Sequence, residues 1–382
     1  MKIYDYLIIG AGSAGCSSAY FLHKEGKSVA LVDREGIAGG ASGAAGAFLS
    51  PLPGQKNIYN SLVNNALDFS LDFYQELLPE AVDKKGVLRV ANDNFDEDKL
   101  SQNSIKYDYF DSKKLHDISK NFREIEGYFY ENAAVIEPIQ ICNKLTKGCD
   151  FYKMDVKELV YKDGFYIVDN IKAKNIILAQ GVSSSLVEIP YMKISPIFGL
   201  RVDVKSTTKV PFNIHKAISI STNKQDGTLS IGATHERHDS AKMECLTTCD
   251  KCSFYVKGDD EQVKSLLKQA DELIKLENLE VVKIYKGARA TIKSYFPVIG
   301  KIVDYESSLK KHPSIQNGTK IPQEDLEYYP NLHLINALGS RGFVFGPYLA
   351  NILTKNILHN EPIPQEISTG KLFYKMARKS KF

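Results

Sequence analysis

Gly10-Ala11-Gly12-Ser13-Ala14-Gly15 has the G-x-G-x-x-G spacing and directly follows the apolar run Tyr4 to Ile9. That spacing suits the holding of a nucleotide pyrophosphate. Gly10 allows the tight turn, Gly12 lets the backbone approach the phosphates, and Gly15 lets the next helix pack closely on the strand. A helix opening at Ser13 directs free amide N–H groups and the positive end of its dipole at those phosphates. Asp33 ends the second apolar run, Ser28 to Val32, about twenty residues on, where a carboxylate accepts from ribose hydroxyls. An inert glycine turn would leave both the spacing and Asp33 unexplained.

The fingerprint alone does not separate FAD from NAD, but three further segments favour FAD. Gly39 to Gly46 is a second run of small residues, close enough to let an extended cofactor lie against backbone. Ile176 to Gly181 reads as a buried strand ending in Ala179-Gln180-Gly181. Leu338-Gly339-Ser340-Arg341-Gly342-Phe343 is a glycine turn opening a last helix, whose N-terminus would stabilise negative charge on a reduced flavin. The expected cofactor-binding residues are Gly10, Gly12, Ser13, Ala14, Gly15, Asp33 and Arg34 in the first unit. Ala41, Ser42, Val156, Gly181, Gly339, Gly342 and Phe343 complete the set.

These residues must be positioned by a particular order of elements. The 382 residues are 43% hydrophobic and 25% charged, the mix of an ordinary globular chain. Ser13 to Lys24 reads as a helix, closing a βαβ unit with the two buried strands. Asn57 to Leu78 reads as a long amphipathic helix closed by Pro79. Cys149 to Asp169 suggests two or three strands, and Gly199 to His238 alternates as antiparallel strands do. Asp259 to Leu276 is an amphipathic helix; Leu332 to Ala337 is a buried strand and Gly342 to Leu358 a helix. The predicted class is α/β, a Rossmann-like FAD-binding domain interleaved with a second, sheet-rich α+β substrate domain. The first would take residues 1–82, 131–191 and 287–382, the second 83–130 and 192–286. An active site is expected between the two lobes.

A formal net charge of +3 is too small to imply nucleic-acid binding by itself. Asp5 and the glycine spacing argue against reading the N-terminus as a signal peptide, and no apolar run of membrane-spanning length follows. A cytoplasmic location with six reduced cysteines is the resulting expectation.

Several segments resemble the D-amino-acid-oxidase superfamily of flavoproteins, and within it the oxidase domains of MnmC type. They are Gly40-Ala41-Ser42-Gly43 with Gly46-Ala47 and Pro51-Leu52, Ile231-Gly232-Ala233-Thr234, Ala288-Arg289-Ala290-Thr291, Phe296-Pro297-Val298-Ile299-Gly300, and Ala337-Leu338-Gly339-Ser340-Arg341-Gly342. The chain departs from the pattern at Phe198-Gly199-Leu200, where R-G-Q is usual, and at Ala44, where Asn is usual. The resemblance implies oxidation of a C–N bond, with hydride passing to the flavin and the imine then hydrolysing. It assigns Arg289 as the clamp on a substrate carboxylate, through the bidentate fork arginine provides, and Arg341 as a second contact beside the flavin. Lys293, Tyr295, His235 and His238 are weaker candidates, each equally readable as a solvated or packed residue.

The implied substrate is 5-carboxymethylaminomethyl-uridine at the tRNA wobble position; the alternative is a free amino acid or amine, as for glycine or sarcosine oxidases. The fingerprint begins at residue 10, so the methyltransferase half found with such domains would be a separate partner. A basic, aromatic stretch from Lys371 to Lys381 suits RNA contact, though a solvated tail explains it equally. Cys245, Cys249 and Cys252 have a spacing seen in metal sites. No second C-x2-C supports them, so free thiols are the expectation.

Overall fold

The computed structural model describes residues 1–91, 105–183, 185–237 and 259–378. Five parallel strands form the centre of the first sheet. Asp150–Lys153, Val29–Asp33, Lys2–Ile9, Ile171–Leu178 and Tyr328–Asn336 lie side by side in that order. Val298–Val303 runs antiparallel along the far edge, and the hairpin Val160–Lys162/Phe165–Val168 pairs with the start of Ile171–Leu178. The central strands are near-continuous apolar runs because both faces are covered. On one face the helices Ser13–Lys24, Ile58–Leu77 and Gly342–His359 pack over Tyr6, Ile8, Leu31, Ile177 and Ile335. On the other, Tyr4, Leu7, Val32, Ile176 and Leu334 meet Ile292, Ile315 and Phe373.

The second sheet has nine strands. Its spine is the antiparallel pair Ser195–Lys205 and Glu280–Thr291, paired from Ser195↔Thr291 to Lys205↔Glu280. Outward from it come Thr228–Gly232, Ser219–Ile220, Asn213–His215, Val87–Val90, Gly127–Tyr130 and Asp108–Phe110. The helix Asp259–Asp271 covers one face through Val263, Leu266 and Ala270. This is a Rossmann-like body joined to a sheet-rich one, the predicted class. The second sheet keeps its strand through Thr291, beyond the expected crossing at 286/287, because the ladder to Ser195–Lys205 continues unbroken to that residue.

Helix ends follow local chemistry. Asn57 caps its helix by accepting from the Asn60 amide at 2.9 Å. The helix from Asp259 stops at Asp271 rather than at Leu276. Lys275 donates its amide to the Asn121 carbonyl and Ile274 bridges Phe122, so the backbone leaves the helix to pair with that segment.

The C-terminal stretch, read as RNA-contacting or as a solvated basic tail, is a helix over most of its described part. Thr369–Ala377 is a helix capped by Ser368, with Phe373 and Ala377 fully buried at an i, i+4 spacing. Tyr374 donates its hydroxyl to the Ile321 carbonyl at 2.7 Å. Phe373 and Ala377 are core and Phe373 has no ring face left for a base, while Lys371, Lys375 and Arg378 stay exposed. Residues 379–381 of the stretch lie outside the described residues.

Candidate active site

A cavity of about 610 Å³ opens along the carboxyl ends of the parallel strands and continues under the second sheet. Ile9, Asp33, Ala179 and Asn336 border it from the first sheet, and Arg201, His215, Gly232 and Arg289 from the second. The crevice at the carboxyl ends of a doubly wound sheet is where nucleotide cofactors bind.

The fingerprint turn is built for close approach. Gly10 has φ +107°, and a Cβ there would lie 2.3 Å from the Ala179 carbonyl oxygen. A Cβ on Gly15 would lie 1.8 Å from the Gly10 carbonyl oxygen, so only glycine lets the helix start this close to the strand. Gly12 borders the cavity, and its nearest neighbour is the Ser42 hydroxyl at 3.0 Å from such a Cβ. The Ser13 amide donates to that Ser42 hydroxyl at 2.8 Å, tying the second small-residue loop to the first. Asp33 accepts from the amides of Ala11, Glu35 and Gly36 at 2.8, 2.8 and 3.2 Å. Its carboxylate therefore shapes the turn as well as bordering the cavity. A narrow cradle that Cβ atoms would fill, ending at a helix N-terminus and a carboxylate, fits the pyrophosphate and ribose of FAD.

Thirteen of the fourteen residues expected to bind the cofactor border this cavity: Gly10, Gly12, Ser13, Ala14, Asp33, Arg34, Ala41, Ser42, Val156, Gly181, Gly339, Gly342 and Phe343. Gly15 stands behind the turn, where its role is packing. Met154, Asp155 and Lys157 also line the mouth beside Val156.

The far part of the cavity is strongly basic. Arg289 and Arg341, the two arginines singled out in the sequence, both border it. Arg289 donates Nη1 to the Thr234 carbonyl at 3.2 Å, and Arg341 donates Nη1 to the Ser50 carbonyl at 3.0 Å. Burial lowers both guanidinium pKa values, and among the described residues no carboxylate acts on either. His235 borders the cavity with its pKa lowered by burial and by Arg289.

Three further basic residues here escaped the sequence reading. Arg89 borders the cavity and donates Nη1 to the Pro51 carbonyl at 3.4 Å; burial, then Arg341, pushes its pKa down to about 10. Arg201 stacks over Tyr285 at 3.9 Å, donates to the Ala45 carbonyl at 2.9 Å and lies 3.7 Å from the Asp203 carboxylate. His215 pairs Nδ1 with the Ser219 hydroxyl at 2.8 Å, and burial, then Arg89, lowers its pKa to about 3. Arg201 occupies a polar beat of the alternating strand Ser195–Lys205, and Arg89 is the one polar residue of Val87–Val90; neither pattern by itself marks a cavity face.

Two weaker candidates are placed elsewhere. Lys293 is exposed and does not border the cavity, and Tyr295 is 46% exposed beneath the Arg237 guanidinium. Ile292 stays in the core, and the chain turns outward at Lys293 after the strand Glu280–Thr291, so Lys293 is a solvated lysine. His238 and the cysteines at 245, 249 and 252 lie outside the described residues. Among the described residues no cluster of potential metal ligands occurs, and no helix is long and apolar enough to cross a membrane.

Comparison with known proteins agrees with this geometry. The family model described as FAD dependent oxidoreductase (DAO) matches residues 5–356. The bifunctional protein MnmC of tRNA 5-methylaminomethyl-2-thiouridine biosynthesis from Campylobacter fetus is 26% identical over 95% of this chain and 57% of its own length. The protein of the same name from Leptospira borgpetersenii is 27% identical over 96% of this chain and 59% of its own. The chain thus spans somewhat over half the length of these relatives. Glycine oxidase from Bacillus cereus superposes with a TM-score of 0.74 at 19% identity, covering 94% of this chain and 96% of that one. Iminodiacetate oxidase from Chelativorans superposes with a TM-score of 0.71 at 17% identity, covering 94% and 97%. The fold is theirs, and with the family model spanning residues 5–356 the chain belongs to the DAO family of FAD-dependent oxidoreductases.

Proposed function

We propose that the protein oxidises the C–N bond of a secondary amine bearing a carboxymethyl group, namely 5-carboxymethylaminomethyl-uridine at the tRNA wobble position. The observation that carries this reading is Arg289. Its guanidinium borders the cavity, is bonded to one carbonyl, and meets no acid among the described residues. A buried cation without a carboxylate partner is costly unless a ligand supplies one, and a bidentate carboxylate suits the guanidinium fork. The similarity to the MnmC proteins over 95% of the chain supports the tRNA substrate.

FAD held in this cavity would supply the acceptor for a hydride leaving the carbon beside the nitrogen. The chain's own residues then have limited tasks. Arg289 would hold the carboxylate and so fix the adjacent carbon toward the cofactor. Arg341, at the N-terminus of the helix Gly342–His359, would add positive charge where the reduced cofactor gains negative charge. Burial and Arg289 both disfavour the charged form of His235, so it would add little positive charge to the cavity.

Anaerobic bleaching of the flavin absorbance tests the reading. Glycine, sarcosine and tRNA carrying the carboxymethylaminomethyl group are supplied in turn. Bleaching by the tRNA alone, with glyoxylate released, is the expected result. Bleaching by the free amines and not by the tRNA would replace it with a metabolic amine oxidase.

A further inference from the structure

The second sheet presents one transverse row to the cavity. Arg89 pairs in register with His215, His215 with Ser219, Ser219 with Gly232, and Gly232 with Arg201. Residues directly opposite on neighbouring strands point to the same face, so the row forms a polar floor across five strands. Arg89, His215, Ser219, Gly232 and Arg201 all border the cavity.

The charges on this floor are not all accounted for. Arg201 has Asp203 beside it, which also accepts from the Ser230 hydroxyl at 2.7 Å. Arg289 answers to the carboxylate of the proposed substrate, and Arg341 sits in the glycine turn on the cofactor's wall. Arg89 remains, with the neutral imidazole of His215 beside it. Arg89 has one long bond to a carbonyl, and among the described residues the charged group acting on it most is another arginine. His215 has its Nδ1 engaged by Ser219 and lies within the fields of Arg89, Arg341 and His235. A buried guanidinium that faces a cavity beside a second arginine, with no protein anion acting on it among the described residues, marks a place where a ligand supplies the negative charge.

We propose that Arg89 and His215 form a second anion subsite, separate from Arg289, which takes a second oxyanion carried by the same amine substrate. The reading rests on the C–N oxidation proposed above and narrows its substrate to a doubly anionic amine. Arg89 would supply a guanidinium fork and His215 its Nε2 edge, with Ser219 orienting the ring. The oxyanion is a phosphate if the substrate is a nucleotide and a carboxylate if it is a small diacid.

The test compares pairs that differ by one anionic group. 5-Carboxymethylaminomethyl-uridine is set against its 5′-monophosphate, and sarcosine against iminodiacetate, all with the FAD-loaded enzyme. In at least one pair the doubly anionic member should have a kcat/KM at least tenfold higher. In Arg89→Met that ratio should fall to within about twofold of unity, and His215→Gln should lower it in the same direction. Inorganic phosphate should raise the melting temperature of the wild type and not of Arg89→Met. If Arg89→Met fails to bind FAD, His215→Gln carries the same comparison. The pair that discriminates identifies the oxyanion. A ratio near unity in the wild type for both pairs, or a ratio retained in a variant that binds FAD normally, overturns the subsite. Flavin bleaching by carboxymethylaminomethyl tRNA would stand in either case, so the two readings fail separately.

Discussion

A Cβ at position 199 would lie 2.6 Å from Nη1 and 2.7 Å from Nη2 of Arg289, and 2.8 Å from the Thr234 carbonyl oxygen that Nη1 binds. Gly199 thus forms the slot in which the guanidinium lies. Neither the carbonyl nor the paired strands can yield easily, so Gly199→Ala should push the guanidinium aside. KM for the carboxymethyl amine should rise about tenfold, the effect of roughly 1–3 kcal/mol of forced repacking. FAD content should stay at the wild-type level, because the slot is remote from the fingerprint turn. Steady-state kinetics with flavin absorbance as the control measures both, and an unchanged KM would mean that Arg289 does not hold substrate.

Arg289 itself separates charge from geometry. Arg289→Lys keeps the cation and loses the planar fork, so kcat/KM should fall about 100-fold. Arg289→Ala should fall further, since loss of one partner of a buried charge pair costs about 2–5 kcal/mol. Both variants should remain yellow. Equal activity in wild type and Arg289→Lys would show that only a point charge is needed there.

What could be read in the sequence depended on how local its cause was. The turn at Gly10 to Gly15 and the helix Ser13–Lys24 rest on neighbours along the chain, and spacing alone located them. Arg289 and Arg341 were visible through short motifs. Arg89, His215 and Arg201 were not, because their meeting depends on register across five strands, and Arg89 and its partner His215 stand far apart along the chain. Strand register is a tertiary property, and an arginine on alternate strand positions looks the same whether it faces solvent or a cavity. The last segment was legible in part: Lys371, Lys375 and Arg378 are exposed as their charge suggested, while the i, i+4 spacing of Phe373 and Ala377 docks the same helix onto the core.

The second and third glycines of the fingerprint should fail in different ways. Gly15→Ala places a Cβ 1.8 Å from the Gly10 carbonyl oxygen, so helix and strand must separate. The flavin-free protein should lose roughly 1–3 kcal/mol of stability, and flavin content should fall. Gly12→Ala meets only the Ser42 hydroxyl, at 3.0 Å, and Gly12 has φ −78°, which alanine adopts freely. That variant should melt like the wild type and still lose FAD, because its new methyl points where the pyrophosphate would lie. Melting curves and flavin absorbance distinguish the cases. Equal loss of melting temperature in both would mean that Gly12 serves the fold and not the cofactor.

Phe373 tests whether the last helix belongs to the core. It is fully buried against Tyr191 and Tyr305, with ring centroids 6.0 and 5.8 Å away. Phe373→Ala should cost about 3–5 kcal/mol, the range for deleting a buried aromatic ring. Chemical denaturation measures it. A stable Phe373→Ala protein that had lost only tRNA affinity would make Phe373 itself an RNA contact and not a core residue.

His333 sets an acid limit on stability without touching the cavity. It sits in the strand Tyr328–Asn336, 3% exposed, paired in register with Ile177 on one side and Lys301 on the other. Its Nδ1 has no hydrogen-bond partner among the described residues. Burial, then Lys301, lowers its pKa from 6.5 to about 3. Because the folded value is below the unfolded one, the unfolded chain binds the extra proton between these pH values. Stability is therefore fully present above pH 6.5 and declines as pH falls toward 3, by up to about 1.4 kcal/mol per pH unit for this group. His215, also lowered to about 3, adds a slope of the same sign in the same window. In His333→Leu the contribution from position 333 should vanish, while that from His215 remains. Urea midpoints at pH 7, 6 and 5, in a fixed excess of FAD, should draw together in the variant relative to the wild type. Parallel slopes in the two proteins would mean that His333 titrates normally in the fold and that its burial is relieved by water or local opening.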